Sequence, residues 1–491
     1  MKIERRPYLA WKRFFLSSIL VFTLIASIQK AYGQLGPGRP FLLSRVVSSV
    51  ESSSGADRQI NNWLDLGYKY NYWRTGIRVE FHDPRNSLLY NDKITQRYIE
   101  FKKDWLRVRA GNSYERLGRG LVFHAFEIQS QTLDRTNQNV AIDRNIDGAN
   151  INISLDKLEV TGIWGRPLRM FSSERGDPLG GGEIRFRPLP ALLLGGTYLR
   201  LQTEDFRQND FHVDMRSAEI SLNLDAIDLY AELAQKRSSN TFSDPNGKAV
   251  YAAVNYAGNT FGLSAEFKRY EDFSTVFNNP PALVKTHSFV LLNRHTHSLN
   301  ANDEIGYQFE GYFSPNFNTM ITIHASGADN LESDERRRFR EYFIESRNEW
   351  GDRLISRILF DYSKDRPVGD LNRWTLASEV DHLLNDRDSI LLDGQMQHID
   401  NENSGKYWNM LGLLAFSRSP WLTISTQYEH TTNVFSDKSN WFSGILNLKI
   451  GQHHDVIFTL GSRPAGLVCS GGICFQVPEF EGMELRWNAR F

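Results

Sequence analysis

Apolar and polar residues alternate over much of this chain, and the last segment shows it best. Met483, Leu485, Trp487, Ala489 and Phe491 fall on one face, with Glu484, Arg486, Asn488 and Arg490 on the other. Successive side chains of a strand point to opposite sides, so this pattern predicts a strand with one apolar and one polar face. The split recurs. Ile77, Val79 and Phe81 alternate with Arg78 and Glu80, and Leu106, Val108 and Ala110 with Arg107 and Arg109. Ala218, Ile220, Leu222 and Leu224 alternate with Ser217, Glu219, Ser221 and Asn223. Phe261 to Lys268 and Ile390 to Gln397 repeat the rhythm.

A soluble β-sandwich turns the apolar face to a core and the polar face to water. A membrane barrel turns the apolar face to lipid and lines its lumen with the polar one. Three features favour the barrel. The runs last about 9 to 13 residues, near the membrane-crossing length and longer than the usual globular strand. Aromatics gather at run ends (Tyr72, Trp73, Trp105, Trp350, Trp408, Trp421, Trp441), as interfacial girdles require. The chain also stops on an alternating strand ending in Phe491, an ending like the one by which outer-membrane barrels are recognised for assembly.

The fold expected is therefore all-β, a transmembrane antiparallel β-barrel of about 24 strands (22–26). The strands start at 62–72 and end at 479–491, with 283–294 counted among them. A parity test exposes a flaw in that count. Long connections and tight turns alternate correctly back from the C-terminus, but fall on the opposite parity in the first half. At least one strand near 283–326 is thus misjudged, and another hides at 41–50 or 119–129.

The first 33 residues stand apart. A basic start (Lys2, Arg5, Arg6, Lys12, Arg13) precedes the apolar run Phe14 to Ile28, then small residues at Ala31 and Gly33. That layout predicts a cleaved secretory signal peptide at 1–33. A Gly- and Ser-rich lead-in, 34–60, is expected to be flexible, and 61–491 to be the barrel. The whole chain carries 57 Lys/Arg and 58 Asp/Glu, and removal of the signal leaves 51 against 57, a mildly acidic protein with no hint of nucleic-acid binding. The apolar content of 41% is ordinary, and after the signal no stretch is apolar enough for a helical span. The location expected is the outer membrane of a Gram-negative bacterium.

The segment Gly111-Asn112-Ser113-Tyr114-Glu115-Arg116-Leu117-Gly118-Arg119-Gly120-Leu121-Val122-Phe123, then Glu127 and Asn145-Ile146-Asp147-Gly148, resembles a family of uncharacterised outer-membrane barrels from Bacteroidota. Val468-Cys469-Ser470-Gly471-Gly472-Ile473-Cys474 and Pro478-Glu479-Phe480, before the last strand, are similar to that family too. The resemblance implies a barrel over nearly the whole mature chain and implies no activity.

Candidate chemistry is sparse. Glu115, Arg116, Arg119, Glu127, Arg144 and Asp147 are the candidates for a lumen constriction, with 113–146 folded inside and its charges setting selectivity. The competing reading gives Gly111, Gly118, Gly120 and Gly148 a bulge or corner, with charges neutralised in a filled barrel. Cys469 and Cys474, in an exported chain and flanking a flexible Gly-Gly span, are expected to form a disulfide. His295 and His297 share a strand face, but too few ligands lie nearby in sequence to predict a metal site. The run from Asp329 through Arg340 reads as a solvated, internally paired loop. No nucleophile motif is present, so no enzyme, cofactor or metal is expected.

The function expected is a porin-like channel for small hydrophilic solutes. The alternative is a non-conducting scaffold for a secretion or surface-attachment assembly; an outer-membrane hydrolase trails both. The partners expected are outer-membrane lipid and lipopolysaccharide, the barrel-assembly machinery, and periplasmic or surface proteins.

Overall fold

A computed structural model describes residues 39–491 apart from 52–57, 84–92, 130–140, 170–173, 284, 286, 295–296, 298–299, 301, 332–337, 471–472 and 478. The expected signal peptide lies outside the described residues. The alternating segments form β1 (Arg39–Glu51), β2 (Arg58–Tyr70), β3 (Trp73–Asp83), β4 (Lys93–Lys103), β5 (Leu106–Ser113), β6 (Ile146–Ser154), β7 (Leu158–Pro167) and β8 (Leu179–Leu189). Then come β9 (Leu192–Glu204), β10 (Asp210–Leu224), β11 (Ile227–Ser238), β12 (Gly247–Ala257), β13 (Phe261–Glu271), β14 (Asp303–Asn316), β15 (Thr319–Asp329) and β16 (Arg338–Trp350). The last are β17 (Leu354–Asp365), β18 (Asp370–Leu383), β19 (Asp388–Asn401), β20 (Gly405–Arg418), β21 (Leu422–Thr431), β22 (Asn440–Ile450), β23 (His454–Arg463) and β24 (Phe480–Arg490).

These strands pair antiparallel in chain order as one 24-stranded sheet, and β1 pairs with β24 to close it. Closure leaves no sheet edge, which a bilayer requires because lipid cannot satisfy free backbone groups. One rim carries only tight turns, such as 71–72, 225–226 and 451–453. The other carries the long connections, above all 114–145 and 272–302.

The exposure pattern is inverted relative to a soluble protein, and this decides between sandwich and barrel. Along β10, Glu219 is 6% exposed and its neighbour Ile220 46%. On β24, Glu484, Arg486 and Asn488 are buried, and across the barrel Glu232, Lys236, Lys268, Asp361 and Arg373 are buried too. Ile184, Leu233, Ile323, Leu392 and Leu460 are exposed. Such an exterior suits hydrocarbon, and the polar groups face the lumen. Tyr72, Trp73, Trp105, Trp350 and Trp421 are exposed together at the tight-turn rim, where amphipathic rings straddle a membrane interface. Trp441 departs from that expectation. It faces inward, 7% exposed, and its indole N–H donates to Glu479 Oε1 at 2.9 Å.

The strand number matches, but two assignments compensate. Residues 283–294 are not a strand; they hold a one-turn helix, α1 (Val290–Asn293), whose residues are all buried. The missing strand is β1, inside the stretch expected to be a flexible lead-in, and β2 begins there as well. Moving these two restores the parity of tight and long connections around the whole ring.

Candidate functional site

A barrel this wide cannot be filled by wall side chains alone. Two segments of the long-connection rim fold into it. In the first, Arg116–Leu117 pairs with Phe123–His124, and Phe126–Gln129 with Ala141–Arg144. Leu117, Leu121, Val122 and Phe123 are fully buried against inward-facing Leu199, Met215, Tyr251 and Tyr270 of the wall. Burying four such side chains is worth roughly 1.5–3 kcal/mol each as an upper bound, so the stretch from Arg116 to Phe126 is a fixed part of the interior.

Two glycines let it approach so closely. Gly118 has φ +58°, its N–H donates to Glu183 Oε1 at 2.7 Å, and a Cβ there would lie 2.4 Å from Glu232 Oε1. Gly120 has φ +88°, and its carbonyl accepts from the Asn279 N–H at 3.0 Å. The Arg119 N–H donates to Glu232 Oε2 at 3.0 Å, and its guanidinium lies over the Tyr230 ring. The Tyr230 hydroxyl in turn lies 2.7 Å from a carboxylate oxygen of each of Glu219 and Glu232.

The second inward segment, 272–302, packs beside the first and reaches the opposite wall. The His124 N–H donates to the Phe277 carbonyl at 2.9 Å. Arg144 Nη1 donates to the Asn278 carbonyl at 3.2 Å, and Nη2 to that of Val276. Helix α1 sets Phe289 and Leu292 against Phe343, Leu359 and Ala377, and sets Val290 and Leu291 against Leu411, Leu413 and Ala415. The Leu291 N–H donates to Gln395 Oε1 at 2.9 Å, and its carbonyl accepts from Gln397 Nε2 at 3.3 Å.

Among the described residues, the ion pairs of this second segment with the wall share one polarity. Lys285 pairs with Glu310 of β14, and Arg294 with Glu429 of β21. His287 lies 3.2 Å from Glu341 of β16. His297 lies 3.1 Å from Glu304 of β14 and 3.7 Å from Asp365 of β17, and its ring stacks on Phe339. Cationic groups on the segment thus meet carboxylates on the wall. Burial works against charge on His297, yet the bonds to Asp365 and Glu304 outweigh it and raise its pKa to about 9. For His287 burial likewise opposes charge, and Glu341 raises the pKa. His124, in the first segment, goes the other way. Burial, with Arg116 and Arg144 nearby, lowers it to about 4.

Of the six constriction candidates, five meet the wall or the second segment. Glu115 accepts from Asn150 at 2.8 Å and lies 3.3 Å from Arg107. Glu127 pairs with Arg78. Arg119 and Arg144 make the contacts above, and burial lowers the Arg144 pKa to about 10. Asp147, on β6 itself, lies 3.5 Å from Arg97. Arg116 is exposed, its backbone paired with His124.

Gly111, Gly148 and Gly165 are register partners across β5, β6 and β7. Gly111 has φ +95°, and a Cβ there would lie 2.1 Å from the Arg97 carbonyl oxygen, so the wall tightens along this row. His295 lies outside the described residues. Among the described residues no group of three or more His, Cys, Asp or Glu could hold a metal. Cys469 and Cys474 are register partners in a hairpin of Gly466–Ser470 and Ile473–Val477, no disulfide is found among the described residues, and the two side chains lie outside them. Of the charge run, Arg340 Nη2 lies 2.7 Å from Asp329, while 332–337 lie outside the described residues.

A closed barrel of 24 strands with an apolar exterior and a polar lumen belongs to the class of outer-membrane β-barrels. The chain itself belongs to a family of unknown function, DUF6029, whose match spans residues 48–491. No curated protein matches its sequence. Among solved structures, the E. coli P pilus tip assembly intermediate PapC-PapD-PapK-PapG aligns at 10% identity over 93% of this chain and 62% of that chain, with a TM-score of 0.53. The P pilus usher (PapC) translocation pore aligns at 10% identity over 92% of this chain and 99% of its own, with a TM-score of 0.49. OccK5 (OpdH) of Pseudomonas aeruginosa aligns at 13% identity over 70% and 98%, with a TM-score of 0.41. At these identities the likeness speaks to the fold alone.

Proposed function

We propose that this chain is an integral outer-membrane channel of porin type for small hydrophilic solutes, narrowed by its two inward segments. The observation that carries the reading is the pairing of an apolar exterior with a charged lumen in a closed barrel too wide to be filled by its own wall. In this reading the signal peptide, 1–33, is removed on export, and the terminal strand ending at Phe491 is what the barrel-assembly machinery reads. Lipid and lipopolysaccharide surround the wall. The long-connection rim faces outward and offers surface partners its loops, and the tight-turn rim offers periplasmic partners only its turns. Glu115, Arg116, Arg119, Glu127, Arg144 and Asp147 belong to the constriction, most of them as struts holding the first segment against the wall and the second segment. Arg116 is the member whose exposure suits contact with a passing solute.

Single-channel conductance of the mature protein in a planar bilayer tests this, beside a variant in which 115–144 is replaced by a short linker. The expected result is stable steps that enlarge in the variant. Silence in both proteins sinks the channel reading.

A further inference from the structure

We infer that the outer mouth of the lumen carries a binding subsite for a neutral oligosaccharide, built by Tyr407, Trp441 and Asn409 beside the Arg294–Glu429 pair. This deepens the channel reading and rests on it for the direction of the mouth. A cavity of about 350 Å³ opens between the second inward segment, the starts of β20 and β22, the end of β21 and the connection 464–479. That size is typical of small-molecule sites.

The lining combines rings with uncharged hydrogen-bonding groups. Tyr407 shares a face of β20 with inward-facing Leu411, so it points into the lumen, and its hydroxyl has no partner among the described residues. The indole of Trp441 is held in place by its bond to Glu479 Oε1. Phe435 stands exposed at the rim. Asn409 accepts from the Thr431 hydroxyl at 2.7 Å and donates to Gln397 at 3.3 Å, which fixes the amide plane and leaves it a second N–H to offer.

Charge tells against an ionic ligand. Arg294 and Glu429 on the floor neutralise one another, with Nη2 2.9 Å from Oε1. Glu479 is engaged by Trp441 and lies 3.6 Å from Lys438. Asp437 adds one acidic group at the rim, too little to select a cation. A pyranose has a face of C–H groups and a perimeter of hydroxyls, so it matches flat rings beside fixed amide, hydroxyl and paired ionic groups. An anion would find no unpaired cation here, and an apolar ligand would leave the fixed polar groups unsatisfied.

Calorimetric titration of the full barrel in detergent micelles with maltotriose, cellotriose and mannotriose, against citrate and spermidine, tests the inference. At least one trisaccharide should bind, with Tyr407→Ala weakening it about tenfold or more, the equivalent of about 1.4 kcal/mol. Tyr407→Phe, which keeps the ring and so the wall packing, should lose less. Heat-dependent gel mobility checks that each variant is a folded barrel. The inference is overturned if none of the three sugars binds, if citrate or spermidine binds more tightly than all of them, or if both Tyr407 variants bind like the unmodified protein. Calorimetry needs no current, so binding without conductance would keep the subsite and sink the channel, and the converse would do the reverse.

Discussion

Arg294 and Glu429, 135 residues apart in sequence, meet inside the barrel with Nη2 of the guanidinium 2.9 Å from Oε1 of the carboxylate. Gln427 also donates to that carboxylate, at 2.6 Å, and both side chains of the pair are about nine-tenths buried or more. The pair ties the second inward segment to the wall near the mouth.

Removing one partner leaves the other charge buried and uncompensated, a loss of about 3–5 kcal/mol. Glu429→Ala and Arg294→Ala should therefore free the end of the segment, seen as faster protease cleavage near 290–300 in an otherwise folded barrel. The double variant should be less damaged than the sum of the two single ones.

His297 supplies a pH dependence whose sign is fixed. Its pKa in the folded protein, about 9, lies above the ordinary 6.5. The stabilisation it gives is therefore fully present below about pH 6.5 and is lost as pH rises through about 9, on the order of a few kcal/mol. Amide exchange around 297–304, corrected for intrinsic rates, should rise across that window. His297→Gln should abolish the pH dependence, and an unchanged profile would refute the assignment.

On the lipid face, Leu233 is exposed halfway along β11. Leu233→Arg should cost about 2–4 kcal/mol in a bilayer folding titration, as charged substitutions at the midplane do. Its neighbour Ala234 faces the lumen, so Ala234→Arg should fail by a different route, through overpacking against the first inward segment.

Gly111→Ala brings a Cβ to 2.1 Å from a backbone oxygen at a φ of +95°, and no side chain can yield to relieve it. The strand pair β4–β5 should lose register or fold poorly, visible as a fall in heat-resistant barrel on gels. Gly394→Ala on β19, where a Cβ meets nothing, should be tolerated.

The wall was legible where its lumen face is polar throughout. β24 alternates cleanly because Glu484, Arg486 and Asn488 all look inward. β1 was hidden because apolar residues occupy both of its faces. It runs Phe41-Leu42-Leu43 and Val46-Val47, with Val47 opposite Arg486 of β24. The run Phe289 to Leu292 misled in the opposite direction, since a short, fully buried apolar stretch looks the same as a strand or as a helical turn. Only the parity of the connections pointed to both errors. The expectation that 113–146 folds inside rested on barrel width and segment length, whereas the second segment, 272–302, was concealed by its false strand. Ion pairs such as Arg294–Glu429 leave no trace in local pattern, because their partners lie more than a hundred residues apart.

The seam between β1 and β24 has a consequence for how such a wall comes into being. Leu42 and Phe491 exchange a pair of backbone hydrogen bonds, the Leu42 N–H to the Phe491 carbonyl at 2.9 Å and the reverse at 2.8 Å. β1 and β24 therefore act as the two halves of a clasp, and no sealed ring exists until β24 is in place. Because the clasp lies at the rim of tight turns, the chain could be joined there and cut at 71–72 instead, with the same circle of strands and only the order of their synthesis changed.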